Sequence, residues 1–244
     1  MAGGRKPRGR LDGYTMPNFF INVVAAVREG RFVYLLLTLL VYLVAAPFVA
    51  GVSRLRLIYY LFLTVVLLAS LYAVRTHRLQ TVVALTLAVP MVCLVWLAFA
   101  DPRPALILAA NLVSLLFMTT ITVSILHFVF TTRVVTRHVI FAAVSAYLLM
   151  GIAWSILYAL LAQFSPGAFS SAPAAGDAQP GYFIYFSFVT LTTLGYGDIT
   201  PLTPKAQTLV IGEALVGQIY MAVLMAWLVG LYVSGRMTAG PPEG

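Results

Sequence analysis

The sequence predicts an all-α membrane protein with six transmembrane helices and a short re-entrant helix and loop between the fifth and the sixth. Three observations carry this. Hydrophobic residues make up 61% of the 244 residues and charged residues 9%, whereas soluble domains carry roughly 25% charged residues. Six runs nearly free of charge approach or exceed the length of about 20 apolar residues that a bilayer demands. A seventh apolar run, Gly181–Thr192, is too short to span. It can sit at membrane depth only if it is buried in protein or lines water.

The elements follow in order. Met1–Leu11 is Gly-rich and basic, through Arg5, Lys6, Arg8 and Arg10, and reads as disordered. Thr15–Val27 has Pro17 in its first turn, and Phe19, Phe20, Val23, Val24 and Val27 share one helical face. It either lies along the membrane surface or packs on the first spanning helix. The predicted spans are Phe32–Ser53 with a kink at Pro47, Leu57–Val74, Leu79–Ala100 with Pro90 inside, Ala105–Thr132, Val139–Phe164 and Ala206–Gly235. Ala105–Thr132 exceeds the bilayer thickness, so it tilts or leaves the membrane at one end. The basic start and spanning-length first run do not match a cleaved signal peptide. A single cysteine, Cys93, excludes an intrachain disulfide.

Six spans place both termini on one side of the membrane. Arg5, Lys6, Arg8, Arg10, Arg28, Arg31, Arg75, Arg78, Arg133, Arg137 and Arg236 lie on that side. Arg54, Arg56, Arg103 and Lys205 lie on the other. The excess of Lys and Arg marks the cytoplasmic face, so both termini are expected inside and Ser165–Pro180 outside, as a flexible turret. The net charge of +8 is accounted for by that bias, without nucleic acid as a partner.

Thr190–Asp198 reads T-L-T-T-L-G-Y-G-D. Its core, Thr193–Gly197, is T-L-G-Y-G. It differs by one aliphatic side chain from the T-V-G-Y-G loop of potassium channels, the standard case of carbonyl rings replacing an ion's hydration shell. The chain resembles the tetrameric potassium-channel family, specifically over Val139–Gly235 and by helix count alone over residues 15–132. The resemblance implies a selectivity filter at Thr193, Leu194, Gly195, Tyr196 and Gly197, with K+ at Thr193, Leu194, Gly195 and Tyr196. It also implies a homotetramer, because a ring of carbonyls needs four loops. Gly181–Thr192 becomes the pore helix, its C-terminal end and partial negative charge favouring a cation. Tyr182, Phe183, Tyr185, Phe186 and Phe188 surround it, with Tyr185-Phe186 where relatives carry a Trp pair. Tyr185 and Asp198 stand where the family braces its filter, so their side chains are expected within about 3 Å of each other. Leu194 adds volume behind the filter.

Further expectations come from the same likeness. Residues 1–31 form a cytoplasmic N-terminus with the surface helix, 32–132 a four-helix domain shaped like a voltage sensor, 133–235 the pore domain and 236–244 a short cytoplasmic tail. Gly217, nineteen residues after Asp198, matches a hinge glycine or serves close helix packing. Gln218, Met221, Met225 and Val229 would face the aqueous cavity. Glu213 is an intramembrane acid, hence either functional by default or a hydrogen-bond partner of the pore helix. Arg133–His138 resembles the linker between sensor and pore, though its basic residues also suit lipid headgroups. His77 and His138 read as interfacial.

Two departures matter. Val189 stands where some relatives carry a Glu behind the filter. Ala105–Thr132 has no Arg or Lys, only His127, and no Asp or Glu lies between Gly30 and Ala100. A voltage sensor needs many charges, each worth roughly 2.3 kcal/mol per 100 mV. The nine residues after Gly235 predict no ligand-binding module there. The expected protein is a potassium-selective channel subunit of the plasma membrane with little intrinsic voltage sensing. Its partners are membrane lipid and potassium ions, and it needs no cofactor beyond the ions themselves. Neither a metal cluster nor a nucleophile–base pair supports an enzyme. A transporter of this kind carries four filter-like loops in one chain, and a non-conducting subunit needs none.

Overall fold

The computed structural model describes residues 30–45, 56–73, 78–170 and 180–238. They form helices α1 (Gly30–Ala45), α2 (Arg56–Ala73), α3 (Arg78–Ala100), α4 (Pro104–Thr131), α5 (Arg137–Phe164), α6 (Pro180–Leu191) and α7 (Pro204–Thr238). Among these residues the only extended pairing is an isolated bridge between Phe169 and Pro201. The segments Gln80–Ala100, Pro104–Thr131, Arg137–Phe164 and Pro204–Leu231 are long and apolar enough to cross a membrane, while Gly30–Ala45, Tyr60–Ala73 and Gly181–Leu191 are shorter apolar helices. Thr15–Val27, Pro47 and residues 171–179 of the expected turret lie outside the described residues.

Local rules account for the helix ends. Pro104 opens α4 at a position where its missing N–H costs nothing, after an extended Arg103. Arg103 also pairs with Asp101 at 2.7 Å, an exposed contact of little energetic weight. Thr136 caps α5, its hydroxyl accepting from the Val139 N–H. Pro90 is carried inside α3, which membrane helices tolerate because neighbours re-satisfy the freed backbone groups.

The core is threaded by one stripe of α4. Ala110, Ser114, Phe117, Met118, Ile121, Ile125 and Val129 are buried, at the three- and four-residue spacing of one helix face. α4 packs between α3 and α5. At its C-terminal end Phe128 stacks on Phe32 of α1 at 4.9 Å, and the Arg31 guanidinium sits over both rings.

The connection from α4 to α5 differs from the expected linker. Only Thr132–Thr136 separate the two helices, and both flanking residues are extended. Arg137 and His138 are the first turn of α5. A connection this short turns α4 directly back along α5 of the same chain. α4 therefore docks on its own chain's α5.

The start of the 165–180 loop also differs from a flexible turret. Ala168 and Phe169 are buried. Phe169 meets Tyr158, Phe183 and Phe186 edge-on, each at 5.4 Å. Burying a large ring against three others is favourable enough to hold this part of the loop.

Candidate functional site: the 193–197 loop and its supports

The loop leaves the C-terminal end of α6. Thr192 N–H donates to the Phe188 carbonyl and Thr193 N–H to that of Thr190, which closes the last helical turn. The Leu194 and Gly195 N–H groups then both donate to the Val189 carbonyl, at 2.9 and 3.2 Å. Val189 supplies no acid, yet its backbone anchors the loop.

Every second residue of the loop has a positive φ: Thr193 at 59°, Gly195 at 56° and Gly197 at 77°. Leu194 and Tyr196 do not. An ordinary extended chain sends successive carbonyls to opposite sides. Inverting the handedness at alternate residues turns them toward one side. Glycine does this without a steric cost. Thr193 does it at a cost of roughly 1–3 kcal/mol, and it is the only non-glycine with positive φ among the described residues. Leu194 and Tyr196 are 55% and 66% exposed, so the chain alone leaves both faces of the loop uncovered.

The far end of the loop is tied back twice. The Tyr185 hydroxyl on α6 donates to Asp198 Oδ2 at 2.7 Å, inside the expected distance. Asp198 Oδ1 accepts from the Ile199 N–H at 3.0 Å. The Tyr185 bond holds the Asp198 carboxyl below its ordinary pKa, because a donor favours the charged form. Beyond Asp198, Ser170 clamps Thr200: Ser170 N–H donates to the Thr200 carbonyl at 2.9 Å, and Thr200 N–H donates to Ser170 Oγ at 2.7 Å. The Tyr182 hydroxyl donates to the Ser170 carbonyl at 2.6 Å.

A polar knot sits behind α6. Glu213 of α7 is fully buried and accepts from the Tyr158 hydroxyl of α5 and the Ser187 hydroxyl of α6. Ser187 also reaches the Gly151 carbonyl at 2.7 Å. Three helices thus meet at one carboxyl group. Gly151 makes this approach possible, since a Cβ there would fall 2.7 Å from the Phe188 ring. Below it, the Leu191 carbonyl at the end of α6 accepts from Tyr147 at 3.1 Å. Gly217 of α7 presses on the same carbonyl, leaving 2.7 Å for any Cβ. The Tyr220 hydroxyl ties α7 to the Ala143 carbonyl at 2.7 Å.

The predicted residues therefore sort onto two faces of α7. Glu213, Gly217 and Tyr220 are buried toward α5 and α6. Gln218, Met221, Met225 and Val229 are exposed on the remaining surface. Glu213 touches the pore-helix candidate, the arrangement of a brace. Sequence reasoning missed Tyr158, Ser187, Ser170, Thr200 and the Val189 carbonyl. Ser and Tyr are common in apolar helices, and nothing in their spacing signals partners 26 or 55 residues away. Among the described residues no cluster of His, Cys, Asp or Glu could hold a metal ion.

A family described as ion channel matches residues 146–233. The two pore potassium channel c of Oryza sativa subsp. japonica is 42% identical over 85 residues, covering 34% of this chain and 17% of the relative. The inward rectifier potassium channel Kirbac3.1 of Paramagnetospirillum magnetotacticum is 37% identical over 86 residues, covering 29% of each. The chain thus spans less than a third of the length of these relatives. No solved structure matches it.

Proposed function

We propose, from the match of residues 146–233 to a family described as ion channel and from the likeness to two potassium channels, that the chain is a subunit of a homotetrameric, potassium-selective channel. Four copies surround one axis. In each, α1 to α5 and α7 span the membrane, and α6 re-enters from outside as the pore helix. Both termini face the cytoplasm of a cell whose plasma membrane holds the protein. K+ passes through rings of oxygens from Thr193, Leu194, Gly195 and Tyr196, with Gly197 completing the filter.

The observation that carries this is the alternation of positive φ at Thr193, Gly195 and Gly197. An ion entering from water needs replacement oxygens along its whole path. A loop with carbonyls brought to one side supplies them, and fourfold repetition makes rings. The exposed Leu194 and Tyr196 fit that arrangement, since neighbouring copies would cover them. The C-terminal end of α6, with its partial negative charge, lies next to Thr193. Asp198 and Tyr185 hold the outer end of the filter, while Glu213 holds the pore helix from behind. Gly217 and the exposed Gln218, Met221 and Met225 belong to the cavity and gate.

Voltage contributes little to opening. α4 contains no Arg, Lys, Asp or Glu, so the membrane field has no charged group there to move. No nucleic acid or cofactor takes part.

Purified protein in liposomes under bi-ionic conditions tests this reading. The reversal potential is expected near that of a potassium electrode, and equal Na+ and K+ permeability would refute it. Absence of conductance from the homomeric protein would favour a non-conducting subunit. Coupling of the flux to a second ion would favour a transporter.

A further inference from the structure

A cavity of about 200 Å³ lies where the first four helices meet α5 and α6. Its walls include Met91, Asn111, Ser114, Ile156, Phe183 and Ile184. These positions fall in the C-terminal halves of α3 and α5 and the N-terminal halves of α4 and α6. All lie toward the end of the bundle that carries the 165–180 loop. The cavity is mostly apolar, and no charged side chain lines it.

Its polar wall is unusual for this protein. Ser70, Thr122, Ser124, Ser145 and Ser155 are buried, and each donates its hydroxyl to a carbonyl three or four residues back. Ser187 and Glu213 are bonded to each other. Ser114, 6% exposed, has no side-chain hydrogen bond among the described residues. Asn111, one turn earlier on the same face of α4, has no side-chain hydrogen bond among the described residues either. Both border the same empty volume.

We propose that this cavity binds one small neutral alcohol, its hydroxyl on Asn111 and Ser114 and its alkyl body among Met91, Ile156, Phe183 and Ile184. An ion is excluded because nothing there would compensate its desolvation. Water suits the polar part of the lining but leaves the apolar remainder, Met91, Ile156, Phe183 and Ile184 among it, without an apolar contact. The volume is sufficient, because an apolar cavity of about 150 Å³ takes benzene. Occupancy would bear on the pore helix directly, through Phe183 and Ile184 of α6.

The test uses the full chain in liposomes and a photoreactive diazirine analogue of 1-hexanol, with labelled peptides mapped after irradiation. Label is expected on the α4 and α6 segments that line the cavity, with protection by excess 1-hexanol. Hexane should protect at least tenfold less well. Ser114→Ala, which conserves volume, should raise the half-protecting hexanol concentration about five- to tenfold, the loss of roughly one hydrogen bond. Ala159 of α5 also lines the cavity, and Ala159→Phe, which fills it, should abolish protected labelling. Label spread over lipid-facing residues and indifferent to hexanol would overturn the proposal, as would equal protection by hexane. If Ala159→Phe does not fold, Ser114→Ala decides the matter. The readout requires no ion flux, so it stands or falls independently of the conduction reading.

Discussion

Tyr185 and Asp198 are joined across the 193–197 loop by a 2.7 Å hydrogen bond between positions thirteen residues apart. The donor sits on α6 and the acceptor on the irregular segment leaving the loop. A bond to a charged carboxylate is stronger than a neutral one. With no acid at Val189, this contact is a principal side-chain tie of the outer loop.

Tyr185→Phe should therefore leave the tetramer assembled but speed the loss of current during sustained opening. Tyr185→Trp, which can donate one hydrogen bond, should restore slow decay more fully than Phe. Decay time constants from macroscopic currents check this. Identical decay in Phe and wild type would show that the ring only packs.

The same bond sets a pH dependence. Asp198 titrates below its ordinary value because Tyr185 favours the ionised form. The bracing is thus fully present above the ordinary Asp pKa, about 3.9, and is lost as external pH falls through the lowered value. Decay rates should be flat from neutral pH down to about 5 and rise only under stronger acid. Tyr185→Phe, which lacks the bond at every pH, should decay fast throughout and lose this pH dependence. A wild-type transition above pH 5 would contradict the assignment.

Glu213 should behave as a brace. Glu213→Leu strands the Tyr158 hydroxyl in a buried site, while Ser187 keeps the Gly151 carbonyl. A stranded buried donor costs about 1–3 kcal/mol. The tetramer should lose thermal stability in detergent, and Glu213→Gln, which retains an acceptor, should lose less. Equal stability of the Leu variant with altered conductance would instead mark a permeation role.

Gly217→Ala should destabilise by about 1–3 kcal/mol through overpacking, because its Cβ would lie 2.7 Å from the Leu191 carbonyl. Gly230→Ala is the control on the same helix, with nothing within 4 Å of its Cβ. That variant should be neutral or slightly stabilising, since Ala is the better helix former. If both variants are equally stable and only Gly217→Ala slows gating, the glycine serves bending alone.

Opening should depend weakly on voltage. Charged sensors gain roughly 2.3 kcal/mol per charge per 100 mV, and α4 has no such charge. A steep conductance–voltage curve would place gating charge elsewhere in the chain.

The residues alone determined the solvent of this protein and the alternation of glycines in its loop. Composition and run length report burial in lipid directly, because hydrocarbon tolerates neither charge nor unpaired backbone. T-L-G-Y-G was legible because its chemistry is local: the alternating glycines that the backbone needs are neighbours in sequence. The Tyr185 contact was legible only through family resemblance. Tertiary structure decided the rest. That Glu213 faces Tyr158 and Ser187, that Ser170 clamps Thr200 and that Gly217 abuts Leu191 depend on which helix faces meet. In helices apolar on every side, periodicity names no inward face, so packing alone chose it. The same holds for Asn111 and Ser114, which border one cavity only because the first four helices meet α5 and α6 there.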